Sequence, residues 1–241
     1  LSAEKGQVEA QETLGGMYFF GKGVKQDFAQ AAIWYAMAAK QGKAYPQYLL
    51  GYLYDQGKGV AQDQARAAEW YRKSAEQGNT DAQESLASLL FFGRGVKQDY
   101  AEAAKWYAKV AEQGRAYPQY LMGWMSEHGQ GLAQDPAQAA RWYRKAAEQN
   151  DARAQSSLGF LYAAGKGVAA DAAESVKWFH AAAEQGLERL TEVVVDRLER
   201  LGELLARYRV DLLDRFFGVA DGVEQILPLR VQEVVTLLCF L

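Results

Sequence analysis

The sequence predicts an all-α chain: an α-solenoid of five 36-residue helix-turn-helix repeats in a right-handed superhelix, with a C-terminal helical cap. Three observations predict it. Trp34, Trp70, Trp106, Trp142 and Trp178 stand 36 residues apart. Asp27, Asp63, Asp99, Asp135 and Asp171 keep the same spacing. A glycine-flanked turn, Gly21–Gly23, returns at Gly57–Gly59, Gly93–Gly95, Gly129–Gly131 and Gly165–Gly167. A fixed period of this size marks an architecture in which each unit buries its apolar face only against its neighbours. The units run 7–42, 43–78, 79–114, 115–150 and 151–186, between an N-terminal extension, 1–6, and a C-terminal segment, 187–241.

Each unit divides into two helical halves. The first reads YPQYLLGYLYDQ in the second unit, where Leu50 and Tyr54 share a helix face with Gly51. The counterparts of Gly51 are Gly15, Ala87, Gly123 and Gly159. A small residue there is expected to let two helix backbones approach closely. The glycine pair that follows supplies the turn, since glycine adopts positive φ without steric cost.

The second half opens on the repeating aspartate, an N-cap that accepts from otherwise unpaired N–H groups. Three residues on stand Gln30, Glu102, Gln138 and Glu174, with Arg66 the exception, which predicts a capping box in four of five units. Pro136 falls at a first helical position, where proline costs nothing. The repeated Trp–Tyr pairs are expected in the core between repeats. Gly42, Gly78, Gly114, Asn150 and Gly186 are placed to end each helix in the left-handed conformation.

After residue 186 the pattern changes. Leu187, Leu190, Val194, Leu198, Leu201, Leu205, Tyr208 and Leu212 follow helical spacing, which predicts one long amphipathic helix to about residue 217. Gly218, Gly222 and Pro228 interrupt it before a short apolar end, VVTLLCFL. A cap over the solenoid end and a helix for homodimerisation or a partner both account for this segment, so the expected state is a monomer or a homodimer through it.

Composition narrows the function. The 241 residues include 27 basic and 30 acidic side chains, a net charge of −3, which gives no clustered cation for nucleic acid. Cys239 is the one cysteine, so neither an intrachain disulfide framework nor a multi-cysteine zinc site is expected. No apolar run reaches the length of a membrane-spanning helix. The opening LSAEKG is not a signal peptide and has no initiator methionine, so a mature or trimmed form is expected.

Catalytic and cofactor chemistry find little support. FFGKGVKQD, residues 19–27, has the glycines and lysine of a phosphate loop, but its turn joins two helices rather than a strand and a helix, and it recurs five times. His128 and His180 lie at different phases of the repeat and form no ligand spacing. No GxSxG elbow is present. No enzyme activity, no cofactor and no metal are therefore expected.

The pattern of Leu14, Gly15, Tyr18, Gly21, Gly23, Val24, Asp27, Trp34, Tyr35, Ala39, Gln41 and Gly42 resembles the Sel-like repeat, a relative of the tetratricopeptide repeat. The third unit departs from it at Ala87 and Leu90, the fourth at Met122, Ser126 and Asn150, the fifth at Ser175, Val176 and Phe179. The resemblance implies a non-catalytic adaptor that binds a protein partner on a superhelical surface. Its specific implication is a bacterial immunity protein that binds and inhibits a secreted toxin, such as a type VI lipase effector, in the periplasm or alternatively the cytoplasm. It also implies, as alternatives, a structural adaptor for envelope polysaccharide or secretion machinery, and a cell-wall glycan-binding protein.

Binding residues are sought where the units differ. The second and fourth share AYPQYL, and the first and third share FFG and GVKQD, a super-repeat of 72 residues. Pro46 and Pro118 are expected in a first helical turn, with Tyr45 and Tyr117 extended just before it. By analogy with tetratricopeptide solenoids, Tyr45, Tyr52, Tyr117 and Trp124 are candidates for an aromatic stripe on the concave face, with Asp55 and Glu127 adding negative charge. Packing between units accounts for the same rings. Phe19, Phe20, Phe91 and Phe92 are secondary surface candidates.

Overall fold

The computed structural model describes residues 7–185, and all its regular elements there are helices. They are α1 (Val8–Phe20), α2 (Phe28–Lys40), α3 (Ala44–Gln56), α4 (Gln64–Glu76), α5 (Thr80–Phe92), α6 (Tyr100–Glu112), α7 (Ala116–His128), α8 (Pro136–Ala147), α9 (Ala152–Ala164) and α10 (Ala172–Glu184). The chain divides at Gln134 into two compact units. The first holds α1 to α7, each helix packed on the next; the second holds α8 to α10, packed likewise. The expected extension 1–6 and the expected cap, 187–241, lie outside the described residues.

The aspartates are caps as expected. Asp27 Oδ1 accepts from the N–H groups of Ala29 and Gln30 and Asp171 from those of Ala173 and Glu174, while Asp63, Asp99 and Asp135 each accept from one, that of Arg66, Glu102 and Gln138. The return half of the capping box has a different donor arrangement. The N–H of Asp27, Asp63, Asp99 and Asp171 donates to the first helix of its own hairpin, at the carbonyls of Tyr18, Tyr54, Leu90 and Tyr162. That bond ties the two helices of a hairpin together, and it frees the residue three positions on. Glu102 instead receives Arg72 from the preceding hairpin, a bond that holds its carboxyl below the usual glutamate range.

The glycines divide into roles that the sequence alone does not separate. The first of each turn pair ends its helix at φ between 61 and 68°. The second, at Gly59, Gly95, Gly131 and Gly167, abuts the preceding hairpin. A Cβ on Gly59 would lie 2.2 Å from the backbone of Phe28, and one on Gly95 2.3 Å from that of Gln64. Gly51 makes room for a ring first and for the facing helix backbone as well: a Cβ there would lie 2.7 Å from the Tyr71 ring and 3.2 Å from the Ala67 carbonyl oxygen, and one on Gly15 2.6 Å from the Tyr35 ring.

In the Trp–Tyr pairs the tyrosine is the core residue. Tyr35, Tyr71, Tyr107 and Tyr143 are fully buried, and burial holds the phenols of the first three far above the ordinary tyrosine range. Trp34, Trp70 and Trp142 are only half-buried, at the edge of the core rather than within it. Lysine ammonium groups cover several of them: Lys73 lies 4.3 Å from the Trp70 ring, Lys109 4.1 Å from Trp106 and Lys145 4.5 Å from Trp142.

A buried glutamine also repeats. Gln47, Gln83, Gln119 and Gln155 each donate Nε2 to a carbonyl eight residues back, at Ala39, Ala75, Ala111 and Ala147, over 3.0–3.1 Å. A second glutamine thirty residues on then donates to the first: Gln41 to Gln11, Gln77 to Gln47 and Gln185 to Gln155, each at 2.7 Å. Such bonds satisfy amides that would be costly to bury alone.

Candidate partner-binding surface

The candidate aromatics sit where consecutive hairpins meet. Phe19, at the end of α1, meets Phe28 edge-on at 5.5 Å and Tyr52 of the next hairpin at 6.0 Å. Phe91 repeats this with Tyr100 at 5.1 Å and Trp124 at 5.4 Å. The inner phenylalanine of each pair therefore fills a junction, and Tyr52 and Trp124 are its half-buried partners.

Their polar surroundings are well satisfied. The Tyr52 hydroxyl accepts from Lys58 Nζ at 2.8 Å, and that ammonium lies 5.0 Å from the Tyr52 ring and 5.5 Å from Phe28. Asp55 accepts from Gln56 and Gln64, both at 3.1 Å, so it is an anchored carboxylate rather than a loose one. Trp124 stacks on His128 at 4.6 Å, and His128 Nδ1 lies 2.8 Å from the Trp124 carbonyl. Glu127 is half-buried, and its carbonyl accepts from Gln134 at 2.8 Å.

Tyr45 and Tyr117 correct one expectation. Both are helical, inside the first turns of α3 and α7, which begin at Ala44 and Ala116. Pro46 and Pro118 occupy third helical positions, whose N–H groups would have no intrahelical partner in any case. The Tyr45 ring lies 6.3 Å from that of Tyr48, and Tyr117 stacks on Tyr120 at 6.4 Å.

The outer phenylalanines face solvent. Phe20 is 53 % exposed and Phe92 52 %, and Ile33 at 49 %, Met37 at 42 % and Tyr45 at 42 % are open as well. Ile33 and Met37 are additions to the sequence-derived candidates. A readable signal pointed to them: Ile33 aligns with Glu69, Lys105, Arg141 and Lys177, and Met37 with Lys73, Lys109, Lys145 and Ala181. Where the other second helices turn mostly charge outward, α2 turns apolar groups.

Among the described residues no group of three or more His, Cys, Asp or Glu side chains gathers as a metal site. His128 belongs to the aromatic cluster just described, and His180 Nδ1 lies 3.4 Å from Glu184 on α10. No described helix is long and apolar enough to cross a membrane.

The family model described as Sel1 repeat matches residues 8–43, 47–79, 80–114, 119–151 and 152–187. No curated protein matches the chain. Among solved structures, c5321, a protective antigen of uropathogenic Escherichia coli displaying an SLR fold, is similar at 39 % identity and a TM-score of 0.72. The match covers 87 % of this chain and 43 % of that one, so the chain spans less than half the antigen's length. A Sel1 repeat protein from Oxalobacter formigenes is similar at 33 % identity and a TM-score of 0.72, over 78 % of each chain. The immunity protein Pa5087 of Pseudomonas aeruginosa is far more distant, at 17 % identity and a TM-score of 0.42 over 75 % of this chain and 66 % of its own, and carries no functional argument.

Proposed function

The chain belongs to the Sel1 repeat family, whose repeats are protein-interaction scaffolds, and we propose that it binds and inhibits a protein partner, as an immunity protein does a secreted toxin. One observation carries the binding reading. The exposed large apolar side chains, Phe20, Ile33, Met37, Tyr45 and Phe92, all stand at positions where the repeats differ from one another. Most core residues recur from hairpin to hairpin, whereas these do not, and their exposure leaves packing a small part in their presence; exposed apolar and aromatic groups rimmed by polar ones are the usual anchors of an interface. Tyr52 and Trp124 pack on the inner rings of Phe19 and Phe91, and the proposed surface takes in these two with Tyr117, Asp55 and Glu127 on α3 and α7.

The toxin-neutralising reading predicts that the purified chain captures a specific protein from its native cells and abolishes that protein's activity. Capture without inhibition overturns the immunity reading and leaves an adaptor. Capture of a glycan, with no protein retained, overturns the protein-binding reading as a whole.

A further inference from the structure

The ends of α1 and α5 carry the same surface group twice, 72 residues apart. Phe20 stands edge-on to Phe19 at 4.9 Å and 72°, and Phe92 to Phe91 at 4.9 Å and 77°. Each outer ring therefore rests edge-on against an inner ring that is packed into a hairpin junction. Lys22 Nζ lies 5.5 Å from the Phe20 ring, and Arg94 Cζ 5.3 Å from that of Phe92. Lys25 and Lys97 add an exposed cation to the same turns.

The loop frame itself is common property. Gln26 and Gln98 donate to the carbonyls of Phe19 and Phe91 at 2.8 Å, just as Gln62 and Gln134 brace the turns after α3 and α7. The decoration is not common. At the positions of Phe20, Lys22 and Lys25 the second unit has Gln56, Lys58 and Ala61, and the fourth has His128, Gln130 and Ala133. The four cations of the two pads form no ion pair among the described residues. The nearby Asp27 carboxylate accepts from the N–H groups of Ala29 and Gln30, and that of Asp99 from the N–H of Glu102, in the first turns of α2 and α6.

We propose that the two pads form one bivalent docking surface for an acidic protein segment carrying an apolar side chain beside its carboxylates at two points. The apolar group packs on the exposed ring, and the carboxylates pair with cations that have no acidic partner in the described chain. The proposal rests on the protein-binding reading above and names the chemistry of the partner. Two linked weak contacts exceed either alone, because the second forms at the high local concentration set by the first.

Fluorescence anisotropy on the full chain tests this with two labelled peptides. One carries a single Asp-Leu-Glu triplet, and the other carries two triplets joined by a long Gly-Ser linker. The expected result is that the two-headed peptide binds about 100-fold tighter than the one-headed one. Phe20→Ala or Phe92→Ala alone should reduce it to one-headed affinity, and the double substitution should abolish binding with helicity unchanged. Raising salt from about 0.05 M to about 0.5 M should weaken it strongly. Equal affinity of the two peptides, or a double variant that binds like the parent, overturns the proposal. So does loss of co-sedimentation with phosphatidylglycerol vesicles in the double variant without any peptide binding, which assigns the pads to a lipid surface. Capture of a cellular protein by the double variant at parental strength sinks the pads alone and leaves the protein-binding function standing.

Discussion

Glycine at a single position shows how much of this fold is fixed by contact rather than by conformation. Gly23 and Gly95 occupy the same place in their turns, at φ 75 and 68°. Around Gly23 the nearest atom to an added Cβ is Met17 Cε at 3.4 Å, because no described hairpin precedes it. Around Gly95 the Cβ would lie 2.3 Å from the carbonyl carbon of Gln64 and 2.6 Å from the N of Ala65. Gly23→Ala should therefore cost only the left-handed conformation, roughly 1–2 kcal/mol. Gly95→Ala should add roughly 1–3 kcal/mol of overpacking, since backbone cannot yield as a flexible side chain does. Urea unfolding of the two variants checks this, and equal losses would show that the turn, not the junction, sets the requirement. The sequence shows that glycine recurs here. It does not show that the second glycine of the later turns, Gly59, Gly95, Gly131 and Gly167, serves the neighbouring hairpin, because that contact reaches back about thirty residues.

At the scale of the helix, what was legible and what was not divide along the same line. Period, caps and turns are local, so Asp27, Gly21 and Gly78 could be read directly as helix boundaries. The return bond of the capping box could not, because the Asp27 N–H is already taken by Tyr18 of the partner helix. The glutamine ladder was written plainly at Gln11, Gln47, Gln83, Gln119 and Gln155, yet a polar residue on a helix reads as surface until its carbonyl partner is seen. One rung is broken. Gln83 Oε1 is buried with no partner, and Gln113, which should donate to it, instead accepts from Thr80 Oγ1 at 2.6 Å. The other units have Val8, Ala44, Ala116 or Ala152 in place of Thr80. Thr80→Ala should release Gln113 to complete the rung, exchanging an exposed bond for a buried one and raising stability by about 0.5–1.5 kcal/mol. The gain should vanish in Thr80→Ala combined with Gln113→Ala. A fall in unfolding midpoint for the single variant would show that the hydroxyl bond is the better of the two.

For the molecule as a whole, repetition separates what holds the chain together from what it displays. Buried tyrosines, glutamines and alanines recur from hairpin to hairpin, whereas the exposed apolar groups fall at positions that charge or small residues fill elsewhere. This separation was only half legible. The super-repeat pointed to Phe20, Phe92 and Tyr45 as displayed, but ring spacing alone could not distinguish Phe20 from Phe19, since the two are adjacent and only the packing of the next hairpin turns one inward. The same logic supplies a substitution that the fold has already tested on itself. Ile33→Glu with Met37→Lys gives α2 the outward pair that α4 carries at Glu69 and Lys73. Both sites are exposed, and the new pair is spaced four apart in the favourable order, so stability should stay within about 0.5 kcal/mol of the parent. The new lysine should also settle over Trp34, as Lys73 does over Trp70. If α2 is part of the gripped surface, the double variant retains its unfolding midpoint and loses the captured partner. Undiminished capture at an unchanged midpoint would remove α2 from the interface, leaving the turns and α3 to carry it. A clear drop in midpoint would instead mark Ile33 and Met37 as structural, contrary to their exposure.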